Sequence, residues 1–207
     1  MAELPLDTAS LLAIAAALGW ASGLRLYAVV FLTGMAGLLG WVELPSGLRL
    51  LQSPVMLGAS GLMLAVEFFV DKIPGVDTLW DLIHTVVRIP AGAALAAAVF
   101  GADQSSWAMA AALMGGTLAA TSHVAKATTR AALNTSPEPF SNIAMSLLGD
   151  SVVPASLWLS WTHPALFFAA LAAALLVMVV LIWGLAKFLR GLARRASGLF
   201  AAARPSL

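Results

Sequence analysis

The stretch Pro164–Leu185 runs for 22 residues without a charged, amide or hydroxyl side chain. About 20 apolar residues are enough to carry a helix across a bilayer. Inside lipid every backbone N–H and C=O must be satisfied within the protein, which leaves helices and closed barrels. An unbroken apolar run is not the alternating pattern of a barrel strand, so it predicts a membrane helix. Ser10–Trp41 is longer still, and Pro54–Val70 nearly long enough. Pro90–Gly101, Trp107–Ser122 and Val152–Trp161 are shorter and need their flanks. The expectation is an all-α polytopic helical membrane protein with about six membrane segments. Only 10% of the residues are charged and 61% are hydrophobic, against about 25% charged in a typical soluble domain. Most of the tryptophans fall near segment ends, as an interfacial belt requires.

The chain has no cysteine. That excludes disulfides, thiolate metal sites and a cysteine nucleophile, and leaves the compartment unread from redox chemistry. There is no phosphate-cradling glycine loop, no Gly-x-Ser-x-Gly elbow and no zinc-protease helix motif. Residues 1–186 read as one helical membrane domain. Residues 187–207 read as a basic tail carrying Lys187, Arg190, Arg194, Arg195 and Arg204, with no acid after Asp150. The positive-inside rule puts that tail in the cytoplasm, and six crossings would put the N-terminus there too. The partner of the tail is then the anionic leaflet rather than nucleic acid. The first segment makes a poor signal peptide, because its start carries Glu3 and Asp7 and no Lys or Arg.

Against this apolar background, Glu67, Asp71, Lys72, Asp77, Asp81, His84 and Arg88 crowd one stretch. At 3.6 residues per turn, Asp77, Asp81, His84 and Arg88 share one face of a helix, and Leu79, Leu82, Ile83 and Val86 the other. The expected element is a short amphipathic helix closed by Pro90, either re-entrant or interfacial. Its polar face could line a cavity, with carboxylates for a cation or proton and His84 as a titratable relay. It could equally lie among headgroups. Two carboxylates and a histidine also suit a divalent ion, but without a paired-histidine motif no metal site is expected. A second stripe, His123, Lys126, Arg130 and Asn134, offers donors for an anion or partners for the acids of the first. Glu67 sits one turn inside a helix end and could carry a coupling proton or pair with a lysine. Arg25 follows Gly19-Trp20-Ala21-Ser22-Gly23-Leu24, where the long first helix could break and hold Arg25 at depth, or stay continuous with Arg25 snorkelling.

The halves 9–102 and 107–186 are weakly alike. Each has a long helix with a polar break, a proline-containing connector and an apolar segment starting near Pro54 or Pro154. Three crossings per half would invert one relative to the other, as in many secondary transporters.

Two blocks carry a resemblance. They are Glu67-Phe68-Phe69-Val70-Asp71-Lys72-Ile73-Pro74-Gly75-Val76-Asp77-Thr78-Leu79-Trp80-Asp81-Leu82-Ile83-His84-Thr85, with Arg88 and Pro90 after it, and His123-Val124-Ala125-Lys126-Ala127-Thr128-Thr129-Arg130, followed by Ser136-Pro137-Glu138-Pro139-Phe140-Ser141-Asn142. In these the chain resembles the bacterial membrane family catalogued as domain of unknown function 4126, from about Leu11 to Leu185. The resemblance implies an integral membrane protein and brings no activity with it.

The functional expectation is a small-solute or ion transporter or channel. Its polar intramembrane site would comprise Arg25, Glu67, Asp77, Asp81, His84, Arg88, His123, Lys126, Arg130 and Asn134, with no cofactor and no catalytic residue assigned. A homodimer is plausible for so small a chain. The alternatives are an intramembrane enzyme acting on a lipid or isoprenoid phosphate, with His84 as acid–base group and Lys126/Arg130 as phosphate clamp, and a non-transporting membrane scaffold.

Overall fold

The computed structural model describes residues 7–73, 75–135 and 140–202, with side chains given as far as residue 191 and at 194. Pro74, the Ser136-Pro137-Glu138-Pro139 break, the Arg195 side chain and Arg204 lie outside the described residues. The elements are α1 (Thr8–Leu38), a 3-10 turn (Ser46–Gln52), α2 (Pro54–Val70), α3 (Val76–Ala98), a second 3-10 turn (Ala102–Gln104), α4 (Ser105–Leu133), α5 (Phe140–Thr162) and α6 (Pro164–Ala202). No strand occurs among the described residues.

Local chemistry accounts for the helix starts. Asp7 caps α1 by accepting the Ser10 N–H at 2.8 Å. The Ser10 side chain and backbone N–H together hold the Asp7 carboxyl below its ordinary value. Ser53 caps α2 through the Met56 N–H, with Pro54 in the first turn, where its missing N–H costs nothing. The tight turn between α2 and α3 needs Gly75, whose φ of +85° is open to glycine at little cost.

Two prolines do not do what their positions suggest. α3 continues through Pro90 and α5 through Pro154. Pro90–Ala98 is therefore the second half of the amphipathic helix, and Val152–Trp161 belongs to the helix that begins at Phe140. A proline inside a helix removes one hydrogen bond, whereas ending the helix in lipid would strand several backbone groups, so continuing costs less. The connector Val42–Ser53 also differs, because it winds into the 3-10 turn. Among the described residues, five helices (α1, α3, α4, α5, α6) are long and apolar enough to cross a membrane, and the 3-10 turn with α2, bent by 68°, makes up to a sixth.

The helix directions follow from who touches whom. α3 and α4 are antiparallel, because Asp77 meets Asn134, Thr85 meets His123 and Gly92 meets Ala119. The first arm of α1 runs with α4, since Gly19 lies on Gly115, Gly23 on Ala119 and Leu24 beside Lys126. At Arg25 the helix breaks, with φ −150° and ψ 85°. Beyond it Tyr27 meets His84, Phe31 covers Gly61, and Gly34 lies on Leu51 and Leu57. α2 starts from a turn whose Gly47 lies on Ala98, at the foot of α3, and ends at Asp71 among the cations near the top of α4. The second arm of α1 therefore heads back down toward the end where the first arm began. The break expected around Gly19–Arg25 is real and falls on Arg25 itself.

That reversal changes the topology. α6 rises from Phe167, level with Leu159, to Leu181, level with Arg25 and Lys126. Thr8 and the far end of α6 lie at opposite ends of the bundle, unlike the expectation of both termini on one side. The two long helices taken as equivalent in the halves, α1 and α4, run in the same direction where they touch, whereas inversion would oppose them. The basic segment after Leu185 continues α6 as helix to Ala202.

The first arm of α1 is the axis of the bundle, with Ala13–Gly23 buried. Around it the fold is inside-out. α3 buries Asp77, Asp81, His84 and Arg88 while Leu79, Leu82, Ile83 and Val86 are exposed, and α6 exposes Leu176, Val180 and Trp183. An apolar exterior around a polar interior suits lipid as solvent.

Candidate functional site: a charge-balanced network at the break in α1

Charges from five helices and one turn converge where α1 breaks. Asp71, which caps the end of α2, is the hub. Arg25 Nη1 lies 3.0 Å from Asp71 Oδ2, Lys126 Nζ 3.0 Å from the same oxygen, and Arg130 Nη1 2.8 Å from Oδ1. A second centre lies deeper. Arg88 reaches Glu67 at 2.5 Å through Nη2 and Asp81 at 2.6 Å through Nη1, and all three are buried. Lys126, 3.2 Å from Asp81, joins the two centres, and Arg130 adds Asp81 at 3.7 Å and Asp77 at 3.5 Å. At the rim, Arg25 pairs with Asp150 at 3.0 Å and Lys72 with Asp150 at 3.4 Å.

The network balances. Glu67, Asp71, Asp77, Asp81 and Asp150 are five acids, and Arg25, Lys72, Arg88, Lys126 and Arg130 are five bases. An unpaired charge at the bilayer centre costs about 2.5–3.5 kcal/mol even on the mildest scale, so buried charges need partners. The helix geometry supplies them. Asp77, Asp81 and Arg88 share the inner face of α3, and Lys126 and Arg130, four residues apart, share the facing side of α4.

Two histidines lie beside the charges, and hydrogen bonds orient both rings. The Trp80 carbonyl can only accept, so His84 Nδ1 donates to it at 2.9 Å, and Nε2 shares a hydrogen bond with the Tyr27 hydroxyl at 3.1 Å. Arg88 can only donate, so His123 Nδ1 accepts from it at 3.4 Å. His123 Nε2 then donates to Thr85 Oγ1 at 2.8 Å, whose own proton goes to the Asp81 carbonyl.

Nine of the ten expected site residues fall in one hydrogen-bonded or ion-paired network, Asn134 through Asp77 at 3.0 Å and Thr78 at 2.8 Å. His84 stands apart from the carboxylates, stacked on Trp80 with ring centroids 4.0 Å apart. The two stripes face each other directly across the α3–α4 contact rather than across an open cavity. Asp71, Asp150, Lys72, Ser146 and Tyr27 belong to the site and were not assigned to it from sequence. Asp71 looked like part of a turn, though its place four residues after Glu67 was a usable signal. Ser146, whose hydroxyl takes Arg25 Nη2 at 2.8 Å, had none. No group of three or more His, Asp or Glu arranged for a metal occurs among the described residues.

Several buried polar atoms lack a hydrogen-bond partner. They include Glu67 Oε2, Asp81 Oδ2, Arg25 Nη1, Trp20 Nε1 and both side-chain amide atoms of Asn142. Beside the network lies a cavity of about 260 Å³ between α1, α4, α5 and α6. Arg25, Lys126 and Arg130 stand at its polar end, and its other walls are largely apolar, among them Met145, Val152, Ala174 and Leu181.

No curated protein and no solved structure matches this chain. One family does, over residues 12–184, and that span takes in both charged stripes, the break in α1, α2 to α5 whole, most of α1 and the first half of α6. The chain belongs to the family described as domain of unknown function 4126 (DUF4126).

Proposed function

We propose that this membrane protein is a small-solute or ion transporter whose intramembrane site is the network centred on Asp71, Asp81 and Arg88, seen with its charges mutually occluded. The observation that carries the reading is the coincidence of the break in α1 with the network. Broken helices at membrane depth are where secondary transporters hold their substrates and coupling ions. The second arm of α1 is tied to the network side by the Tyr27–His84 bond, so a tilt of that arm would change which donors and acceptors meet. Exchange of a carboxylate's partner from a lysine or arginine to an incoming cation or proton keeps the balance at every step. The bundle stands in a bacterial plasma membrane with the network end and the end of α6 toward the cytoplasm. Lys72, Lys187, Arg190 and Arg194 lie at that end, against Arg49 alone in the connectors opposite.

The balance of five acids against five bases favours a second reading, a non-transporting scaffold in which the charges only pair. Reconstitution into vesicles separates the two. Under imposed proton, potassium and chloride gradients, read by entrapped pH- and ion-sensitive dyes, the wild-type protein is expected to dissipate at least one gradient faster than empty vesicles. Asp81→Asn is expected to slow that flux at least tenfold. Wild-type flux equal to that of empty vesicles under all three gradients overturns the transporter reading and leaves the scaffold.

A further inference from the structure

A second cavity adjoins the one beside the network. The first, of about 260 Å³, and the second, of about 250 Å³, share Trp20, Val152 and Ala174 as common wall. Together they form a crevice from Phe167 and Leu159 at one end to Arg25, Lys126 and Arg130 at the other. Along α6 it spans residues 167–181, about 21 Å at 1.5 Å per residue. That is longer than one leaflet's share of a roughly 30 Å hydrocarbon core. The crevice lies where α5 packs on α1 and α6 packs on α4, while α5 hardly touches α4 and touches α6 only sparsely.

Its chemistry is polarised. The walls are mostly leucine, valine, alanine and methionine, with Trp20 and Phe167, and methionine adapts to irregular apolar guests. The charged lining consists of Arg25, Lys126 and Arg130, while their partners Asp71, Asp77, Asp81 and Asp150 are not in the wall. Two lining residues also hold buried donors without an acceptor. Arg25 Nη1, though 3.0 Å from Asp71, is not aligned to donate to it, and Trp20 Nε1 has no partner. Arg130 meets the acids with Nη1 and Nε only. An unmade bond from a buried donor costs about 1–3 kcal/mol, so a guest that supplies acceptors at this end is favoured.

We infer that the crevice binds a single-chain anionic amphiphile, its apolar chain along α5 and α6 and its carboxylate or phosphate against Arg25, Lys126 and Arg130. This goes beyond the transporter reading, since the crevice would hold its ligand whether or not anything crosses the bilayer.

The test uses the full chain in uncharged detergent, with a fluorescent fatty carboxylate, the monoalkyl phosphate of the same chain and the corresponding alcohol as probes. Saturable binding of one or both anions is expected, with the alcohol at least tenfold weaker. The tighter of the two anions identifies the headgroup. Lys126→Gln is expected to weaken the anions at least tenfold and leave the alcohol unchanged. Ala174→Phe, which fills the shared wall, is expected to abolish saturable binding of all three. Equal binding of acid and alcohol to the wild-type protein, or undiminished binding to a folded Ala174→Phe variant, overturns the inference. If Ala174→Phe does not fold, the wild-type comparison of headgroups decides alone. Binding without flux in vesicles would sink the transporter reading and leave this site standing.

Discussion

The same three helices close in two different ways. In the lower half of the bundle, α1, α3 and α4 meet through small residues. A Cβ at Gly19 would strike the Gly115 backbone, one at Gly115 the Ala96 side chain, and one at Gly92 the Ala119 side chain. Ser122 bonds across the same contact to the Trp20 carbonyl at 2.6 Å. One to three turns higher, α3 and α4 are joined by Asp77, Asp81, Arg88, Lys126 and Arg130. Lipid gives no hydrophobic reason for helices to associate, so each half must supply another attraction. The lower half uses close backbone packing and the upper half uses charge. Packing of small residues holds helices rigidly together. Ion pairs with long side chains can exchange partners, so the half that could change state is the half built from charge.

The largest expected effect comes from removing the residue that binds two acids at once. Arg88→Met keeps the side-chain volume but leaves Glu67 and Asp81 facing each other without their shared cation. Breaking a buried pair by deleting one partner typically costs about 3–5 kcal/mol, which should lower the detergent melting temperature by many degrees. The double variant Arg88→Met/Glu67→Gln leaves four acids against four bases, because Glu67 pairs with Arg88, and is expected to recover much of that loss. Flux through vesicles should stay absent in both. A single variant that melts like the wild-type protein would mean that the upper half does not rest on its charges.

Next comes the packed half. Gly115→Val places a branched side chain where only hydrogen fits. Overpacking of this kind costs about 1–3 kcal/mol. Gly184→Val is the matched control, because no atom lies within 4 Å of a Cβ built there. Melting curves of the two should differ clearly, with the control close to wild type. If Gly115→Val is silent, the helices can part at that point and the contrast between rigid and exchangeable halves falls.

How much of this could be read from the residues depends on distance along the chain. The membrane class was legible because 22 uninterrupted apolar residues have few alternatives. The inner face of α3 was legible because Asp77, Asp81, His84 and Arg88 obey the helical period. The partnership of the α3 and α4 stripes followed from the need of buried charges for partners. Asp71 was not legible as the hub, because a polar residue before a proline and a glycine fits a turn equally well. Ser146 and Asp150 were not legible either, since they meet Arg25 across 121 and 125 positions. The continuation through Pro90 was missed because a proline's local preference was weighed without the larger cost of ending a helix in lipid. The reversal of α1 needed one non-helical residue, Arg25, and nothing about an arginine requires that conformation. The network holds it there.

The smallest effect belongs to neither half and measures what an ordinary exposed charge is worth in this protein. Asp7 is fully exposed, and Ser10 lowers its carboxyl from the ordinary value of 3.8. A group whose pKa is depressed on folding adds stability that is present above its unfolded value and is lost as pH falls through the folded one. Melting curves of the wild-type protein and Asp7→Ala should therefore differ slightly near neutral pH and converge as the pH drops below about 4. Asp7→Asn keeps an acceptor for the Ser10 N–H while losing the charge. It should fall between the two at neutral pH, and its distance from wild type should shrink in high salt, because an exposed charge at a helix start is screened. A comparable salt sensitivity in Arg88→Met would place Arg88 in contact with solvent ions, and the division between a closed charged interior and an open surface would not hold.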